Sequence, residues 1–256
     1  MTFDAALALR MITNARLRTA QGWGEYRDLG GALAVTSDAP IAGLNCISDF
    51  ATDEHGVESL LDLGFALLRA FDCAPAAELT PLDRPATIAA HLEQRGLQRE
   101  GGRSWMAFRG DAAAIAKNAD VDVRVAEPDD ARTFAALHGG ADSWVKRLSL
   151  STTLSGMLEP GNTFYLGCLD GQPVGTLHLL VDGPTAGIYA VGTAKAHRRR
   201  GVSTTLMARA IRDAQAGGCD LVCLSTDGGG YAETLYAKVG FERTFSSEMW
   251  MAGERA

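Results

Sequence analysis

The chain has 256 residues, 46% of them hydrophobic and 21% charged, with a formal net charge of −7. That length and composition are enough to bury one large core or two small ones and exclude a disordered chain. The acidic balance excludes nucleic-acid binding through a broad basic face.

Five cysteines, Cys46, Cys73, Cys168, Cys219 and Cys223, are odd in number and fall at no metal-ligand spacing, so no metal is expected. A reducing compartment is the simplest reading of them. The start of the chain is not a convincing secretory signal, and no run of residues approaches a membrane span. The expectation is a cytoplasmic protein with no nucleic-acid or membrane partner.

In chain order, Phe3, Leu7, Met11 and Leu17 recur at near-helical spacing over 3–18. Two strand-like runs follow, 32–36 and 41–47, joined by a turn containing Asp38 and Pro40. A helix after Gly56 presents Val57, Leu60, Leu61, Phe65 and Leu68 on one face. A short strand near 74–79, a helix over about 84–94 closed by Gly96, and a strand through 105–108 complete the first half. The Ala-rich segment 110–120 reads as a linker, giving domains at 1–112 and 120–256.

The second half opens with a strand at 121–125 and a helix capped by Pro128, Asp129 and Asp130, whose carboxylates suit the helix dipole. One or two helices are expected over 141–158, with Trp144, Leu148 and Leu150 as their large apolar members. Asp170-Gly171 between 164–168 and 174–181 marks an antiparallel hairpin. The apolar run 188–191 then leads through a basic turn, Lys195 to Gly201, into an amphipathic helix from Val202 that stops at Gly217-Gly218. A strand at 221–225, a Gly-rich loop, a helix over about 232–238 and a last strand from Phe241 end the chain.

The basic turn is the most informative stretch. Arg198, Arg199 and Arg200 precede Gly201 at the start of a helix, where unpaired N–H groups and the helix dipole favour a phosphorylated anion. The chain also repeats itself. Gly56-Val57 matches Gly201-Val202, Ala90 to Leu97 matches Thr234 to Phe241, and Trp105-Met106 matches Trp250-Met251, all at an offset of 144 or 145. In the first copy Asp53, Glu54 and His55 stand at the arginine positions and Glu58 at that of Ser203, so the first copy is expected to keep the fold and lack the anion site.

These residues resemble the GNAT acetyltransferase superfamily. Arg198 to Ser203 is similar to its pyrophosphate loop, and Leu235-Tyr236-Ala237-Lys238-Val239-Gly240-Phe241 to its Leu-Tyr-x-x-x-Gly-Phe segment. The ordered set of elements over 122–251 carries the resemblance further than either motif. Ser203 departs from the family's Gly or Ala, and the Asn often found before the final helix is absent, with Gly228 to Gly230 in its region.

The resemblance implies an α/β (α+β) fold of two tandem GNAT-like units, each a mixed, mostly antiparallel sheet flanked by helices. It implies acetyl-CoA as co-substrate and direct acetyl transfer to a small-molecule or peptide amine in a ternary complex. Val191, Gly192 and Thr193 would face the pantetheine arm. Arg198, Arg199, Arg200, Gly201, Val202, Ser203 and Thr204 would surround the pyrophosphate, and Tyr236 would act as general acid. The base is not evident; His178, Asp227 and Glu233 are weak candidates. The alternative is a non-catalytic acyl-CoA-binding or interaction protein, and a homodimer and a second ligand site in the first copy are left open.

Overall fold

The computed structural model describes residues 3–39, 41–138 and 143–252, with residues 143–147 described by backbone alone. Pro40 and the side chain of Trp144, both singled out from the sequence, lie outside the described residues.

Helix α1 (Ala5–Gly22) starts at Asp4, whose carboxylate accepts from the Leu7 amide. The first sheet contains β1 (Glu25–Asp28), β2 (Leu33–Thr36), β3 (Cys46–Ser48), β4 (Ala76–Leu79) and β5 (Leu97–Arg99), with α2 (Glu54–Ala70) and α3 (Ile88–Gln94) between them. Next come β6 (Arg103–Phe108), β7 (Val121–Val125), α4 (Ala131–His138), α5 (Ser143–Leu158), β8 (Asn162–Leu169), β9 (Gln172–Asp182) and β10 (Thr185–Thr193). The chain closes with α6 (Val202–Ala216), β11 (Leu221–Asp227), α7 (Tyr231–Val239), β12 (Phe241–Ser246) and β13 (Glu248–Ala252). Among the described residues no helix is long and apolar enough to cross a membrane.

The sheet orders are β1-β2-β3-β4-β13-β5 and, read from its far end, β7-β8-β9-β10-β11-β6-β12. Apart from β7 the two lists correspond strand for strand. Both contain one parallel pair, β3 with β4 and β10 with β11, crossed over by α2 and by α6 respectively. The first residues of β4 and β11, Ala76 and Leu221, are 145 apart. The fold is two tandem units of one α/β design, each a mixed, mostly antiparallel sheet flanked by helices.

The sheets also exchange a strand, which periodicity could not reveal. β6, from the first half, lies between β11 and β12; β13, from the second, lies between β4 and β5. The single last strand expected from Phe241 is two strands that break at Ser247. The two connections meet where Arg103 and Ser247 exchange backbone hydrogen bonds of 3.2 and 3.0 Å. We keep the division at 110–120 as our proposal for the units, with the exchanged strands crossing it. That segment is not a free tether: Ala112 and Ile115 are buried in the core of the second sheet.

Each core follows the sequence pattern. Val57, Leu61, Phe65 and Leu68 of α2 pack on the first sheet with Trp250 from the exchanged strand. Val202, Leu206, Ala210 and Ala214 of α6 pack on the second, together with Met106 and Phe108 from its exchanged strand. A buried Leu or Phe contributes roughly 1.5–3 kcal/mol, so each half draws part of its cohesion from the other. Cys223 packs on the other side of the second sheet with Met11 and Ile12 of α1, as a small hydrophobe, and burial pushes its thiol up to about 12.

The crossing tolerates only glycine at position 102. Its φ is +153°, and a Cβ there would lie 2.0 Å from the Ser247 carbonyl oxygen. Gly102→Ala is expected to destabilise the protein by at least ~3 kcal/mol, combining backbone strain and a backbone clash. Urea unfolding of both proteins checks this; a midpoint within error of the parent would contradict it.

Candidate active site

β10 and β11 pair in parallel only from Thr185–Gly187 against Leu221–Cys223. Past that point β10 bulges between Tyr189 and Gly192, with Ala190 at φ 49°, and pairs with β9 alone. The β11-facing edge of residues 188–193 therefore has no ladder partner among the described residues, and the strands part like an open wedge. A cavity of about 650 Å³ opens there, lined among others by Val191, Gly192, Thr193, Arg199, Ser203 and Tyr236.

The floor of this cavity is the start of α6. Arg199 at φ 60° and Gly201 at φ 74° curl the chain so that the helix begins with no side-chain cap. Val202, Ser203 and Thr204 then present amides without intrahelical acceptors, the geometry that binds phosphate. Arg198 and Arg199 line the same cavity. Arg198 reaches back to the Thr193 carbonyl at 3.4 Å, whereas Arg200 turns toward His197 and away from the cavity lining.

Two details support the loop from behind. The Ser203 hydroxyl shares a 2.7 Å hydrogen bond with the Thr193 hydroxyl, tying the helix start to the end of β10. The Ser203 hydroxyl, at a position where Gly or Ala was the expectation, thus has a partner. Asn118 donates to the Arg200 carbonyl at 2.9 Å, and its amide donates to Thr205 Oγ1. The segment read from the sequence as a linker is a brace for this loop.

The corresponding place in the first copy is closed. Asp53 accepts from the Gly56 amide, and α2 begins at Glu54, three residues before Val57, the sequence match of α6's first residue. The positions that form the open loop in the second copy are wound here into an extra helical turn. Glu54 and Glu58 hold His91 of α3 between them, at 2.9 and 2.5 Å, and Arg95 pairs with Glu58 and Asp62. The groove between the two helices is thus filled by its own ion pairs.

Tyr236, on α7, is half-buried with its ring edge-on to Phe241 at 6.2 Å. Burial raises its pKa above the ordinary tyrosine value, so the phenol keeps its proton at neutral pH. It also lines a second cavity, of about 240 Å³, that lies between the two sheets. Tyr236 and Val191 are the two residues common to both spaces.

The three base candidates from the sequence are not gathered around Tyr236, and neither of these two cavities is lined by any of them. His178 is 3% exposed, stacks on Phe164 at 4.2 Å and bonds Asn162 at 2.6 Å through Nε2. Burial drives its pKa well below the ordinary histidine value, leaving it a neutral packing residue beside a separate small cavity. Glu233 accepts from the Gly229 amide at 2.6 Å, a bond that lowers its pKa and makes it a brace for the Gly-rich loop. Asp227 is exposed at the end of β11, opposite Arg103.

Sequence reading missed the residues that do line the inner cavity, among them Arg18, Asp49, Glu78, Arg103 and Tyr189. All but Tyr189 come from the first half. Glu78 accepts from the Ser247 hydroxyl at 2.6 Å through Oε1 and faces Arg103 at 3.6 Å, while its Oε2 has no partner among the described residues. Asp49 is paired with Arg16. No local motif marks these positions, because only tertiary packing gathers them: α1 docks on the second sheet, where Asn14 donates to the Leu180 carbonyl, and the exchanged strands bring β4 and β6 alongside.

Residues 129–241 match the family model described as the Acetyltransferase (GNAT) family. No curated protein matches the sequence. Among solved structures, the fold is shared with a GCN5-related N-acetyltransferase from Kribbella flavida, at 19% identity and TM-score 0.76, covering 99% of this chain and 98% of that one. A GCN5-related N-acetyltransferase from Sphaerobacter thermophilus matches at 18% identity and TM-score 0.65, covering 88% and 81%. A tandem GNAT protein from the clavulanic acid biosynthesis pathway matches at 16% and 0.64, covering 96% and 89%.

The closed groove predicts a pH dependence. Hydrogen bonds donated by the imidazolium to Glu54 and then Glu58 raise the His91 pKa above its ordinary value. The stabilisation from charged His91 is therefore complete below the unfolded value of about 6.5 and is lost as pH rises through the raised folded one. His91→Ala should cost more stability at pH 6 than at pH 9. Equal losses at the two pH values would contradict the arrangement.

Proposed function

We propose that this chain, whose residues 129–241 match the Acetyltransferase (GNAT) family model, is an acetyl-CoA-dependent N-acetyltransferase with one cofactor site per chain. The carrying observation is the uncapped start of α6 opening onto the gap between β10 and β11, with Tyr236 at the inner end. The site suits a CoA thioester by its donor set: free amides and two arginines for the pyrophosphate, and an unpaired strand edge for the amide-bearing arm.

In this reading the amides of Val202, Ser203 and Thr204, with Arg198 and Arg199, hold the pyrophosphate, and the edge of Val191, Gly192 and Thr193 holds the pantetheine. Acetyl-CoA supplies the activated acetyl group. Arg200 acts through the loop's shape, since its side chain points away. The first copy binds no cofactor and instead forms the far wall of the acceptor chamber.

An aliphatic ammonium of pKa about 10.4 is roughly one part in a thousand neutral near pH 7.4, so the amine must lose a proton before it can attack. Glu78 takes that role here, because its Oε2 is free and it lines the chamber onto which Tyr236 opens. Tyr236, kept neutral by burial, gives its proton to the departing thiolate. The acid thus comes from the second copy and the base from the first.

Two variants test the assignment. Tyr236→Phe and Glu78→Gln should each lower kcat by about 10²-fold or more while leaving the acetyl-CoA Kd within twofold. Single-turnover CoA release and calorimetry measure the two quantities. Unchanged kcat in either variant would remove that residue's role. Tight acetyl-CoA binding with no CoA release across a broad amine panel would favour a non-catalytic acyl-CoA-binding protein.

A further inference from the structure

The inner chamber has a charge imbalance that the proposed chemistry does not use. Three arginines line it, Arg16, Arg18 and Arg103, against two carboxylates, Asp49 and Glu78. Arg16 is paired with Asp49, and Arg103 lies against Glu78 at 3.6 Å and the Gly43 carbonyl at 3.4 Å. Arg18 is left over. It makes no hydrogen bond or ion pair among the described residues, and its Nε is buried without a partner.

Its position is fixed nonetheless. The guanidinium lies 5.0 Å from the centroid of the Tyr189 ring, and the Tyr189 hydroxyl is anchored by a 2.7 Å bond to Asn14. Stacking on an aromatic face holds the planar fork in one orientation without using its N–H donors. The residue as a whole is partly buried, and leaving its enclosed Nε without a partner is costly: burial is the chief reason the pKa lies below the ordinary arginine value, and the like charge of Arg103 pushes the same way. Such a group is relieved by a carboxylate or similar oxyanion, which a planar guanidinium can bind with two parallel hydrogen bonds.

We propose that Arg18 is the specificity residue for an acceptor that carries a carboxylate besides its amine. The inference rests on reading this chamber as the acceptor site. Its volume, about 240 Å³, is that of roughly eight waters and suits a molecule of amino-acid size. Within it the acceptor's carboxylate meets Arg18 of α1 and its ammonium meets Glu78 of β4, so the substrate is held at both ends by the first half of the chain. The amine is thereby turned toward Tyr236 and Val191, where the chamber joins the outer cavity. Arg18 touches the substrate away from the reacting atoms and sets which amine is accepted.

The test compares matched ligands on the full chain. Calorimetry with CoA present uses a panel of N-acetyl amino acids, each beside its own carboxamide, as product-like probes that need no turnover. At least one acid should bind 10-fold or more tightly than its amide. Arg18→Gln should erase that preference and leave the CoA Kd unchanged, and Arg18→Lys, which keeps the charge without the fork, should retain part of it. The comparison on the parent protein stands even if a variant fails to fold. No binding by any acid, equal affinity for acid and amide, or equal weakening of both by Arg18→Gln would overturn the proposal. CoA release measured with the free amino acids and amino amides separates it from the enzyme reading. Acid preference in binding without release sinks the catalytic assignment alone, and release with no carboxylate preference sinks the Arg18 assignment alone.

Discussion

The structure depends on the crossing at Gly102 and Ser247, where each half hands its last strand to the other. A strand in the middle of a sheet satisfies two neighbours' backbone groups and carries side chains on both faces, so neither half can hold its sheet without the other. The crossing also sets the relation between the halves. It puts Glu78 within reach of Ser247, and Ser247 within reach of the Trp105 indole at 3.2 Å, which fixes the chamber wall directly below the gap between β10 and β11. A chamber walled by both copies follows from this connectivity together with the docking of α1 on the second sheet, where Asn14 bonds both the Leu180 carbonyl and the Tyr189 hydroxyl.

The two helix starts show how little change separates a ligand site from a closed one. Both α2 and α6 follow the first strand of their unit's one parallel pair and cross to the second. With Gly201 in the left-handed region and arginines before it, the chain forms an open loop with free amides. Asp53, an N-cap carboxylate, instead starts the helix three residues sooner and uses up a donor. The carboxylates that follow attract His91 and Arg95 from α3, and the groove becomes a set of ion pairs. These pairs are largely exposed, so their importance lies in occupying the groove more than in stability.

Much of this was legible in the sequence where a local rule governs. The hairpin at Asp170-Gly171, the amphipathic face of α6, the basic loop and the duplication were each carried by spacing alone, and each is present. The reversal from arginines to acids between the copies was also visible in the sequence, although the pairing of those acids with α3 was not. What escaped was long-range. Short strands such as β1 and β5 have too few residues to show alternation, and a break of one residue at Ser247 leaves no composition signal. The chamber residues escaped for the same reason: Arg18 looks like the solvated face of an amphipathic helix, and Glu78 like an ordinary residue in a short strand. Segment 110–120 read as a linker because it is rich in Ala, although Ile115 buries and Asn118 bonds.

The proposed reaction divides its labour between the copies, with cofactor on the second and acceptor chemistry on a wall supplied by the first. A crystal soaked with acetyl-CoA tests it most directly. One molecule per chain is expected, its phosphates on the amides of Val202 to Thr204 and its acetyl carbon beside Tyr236 facing Glu78. A second molecule at the start of α2, or an acetyl group pointing away from the chamber, would contradict it.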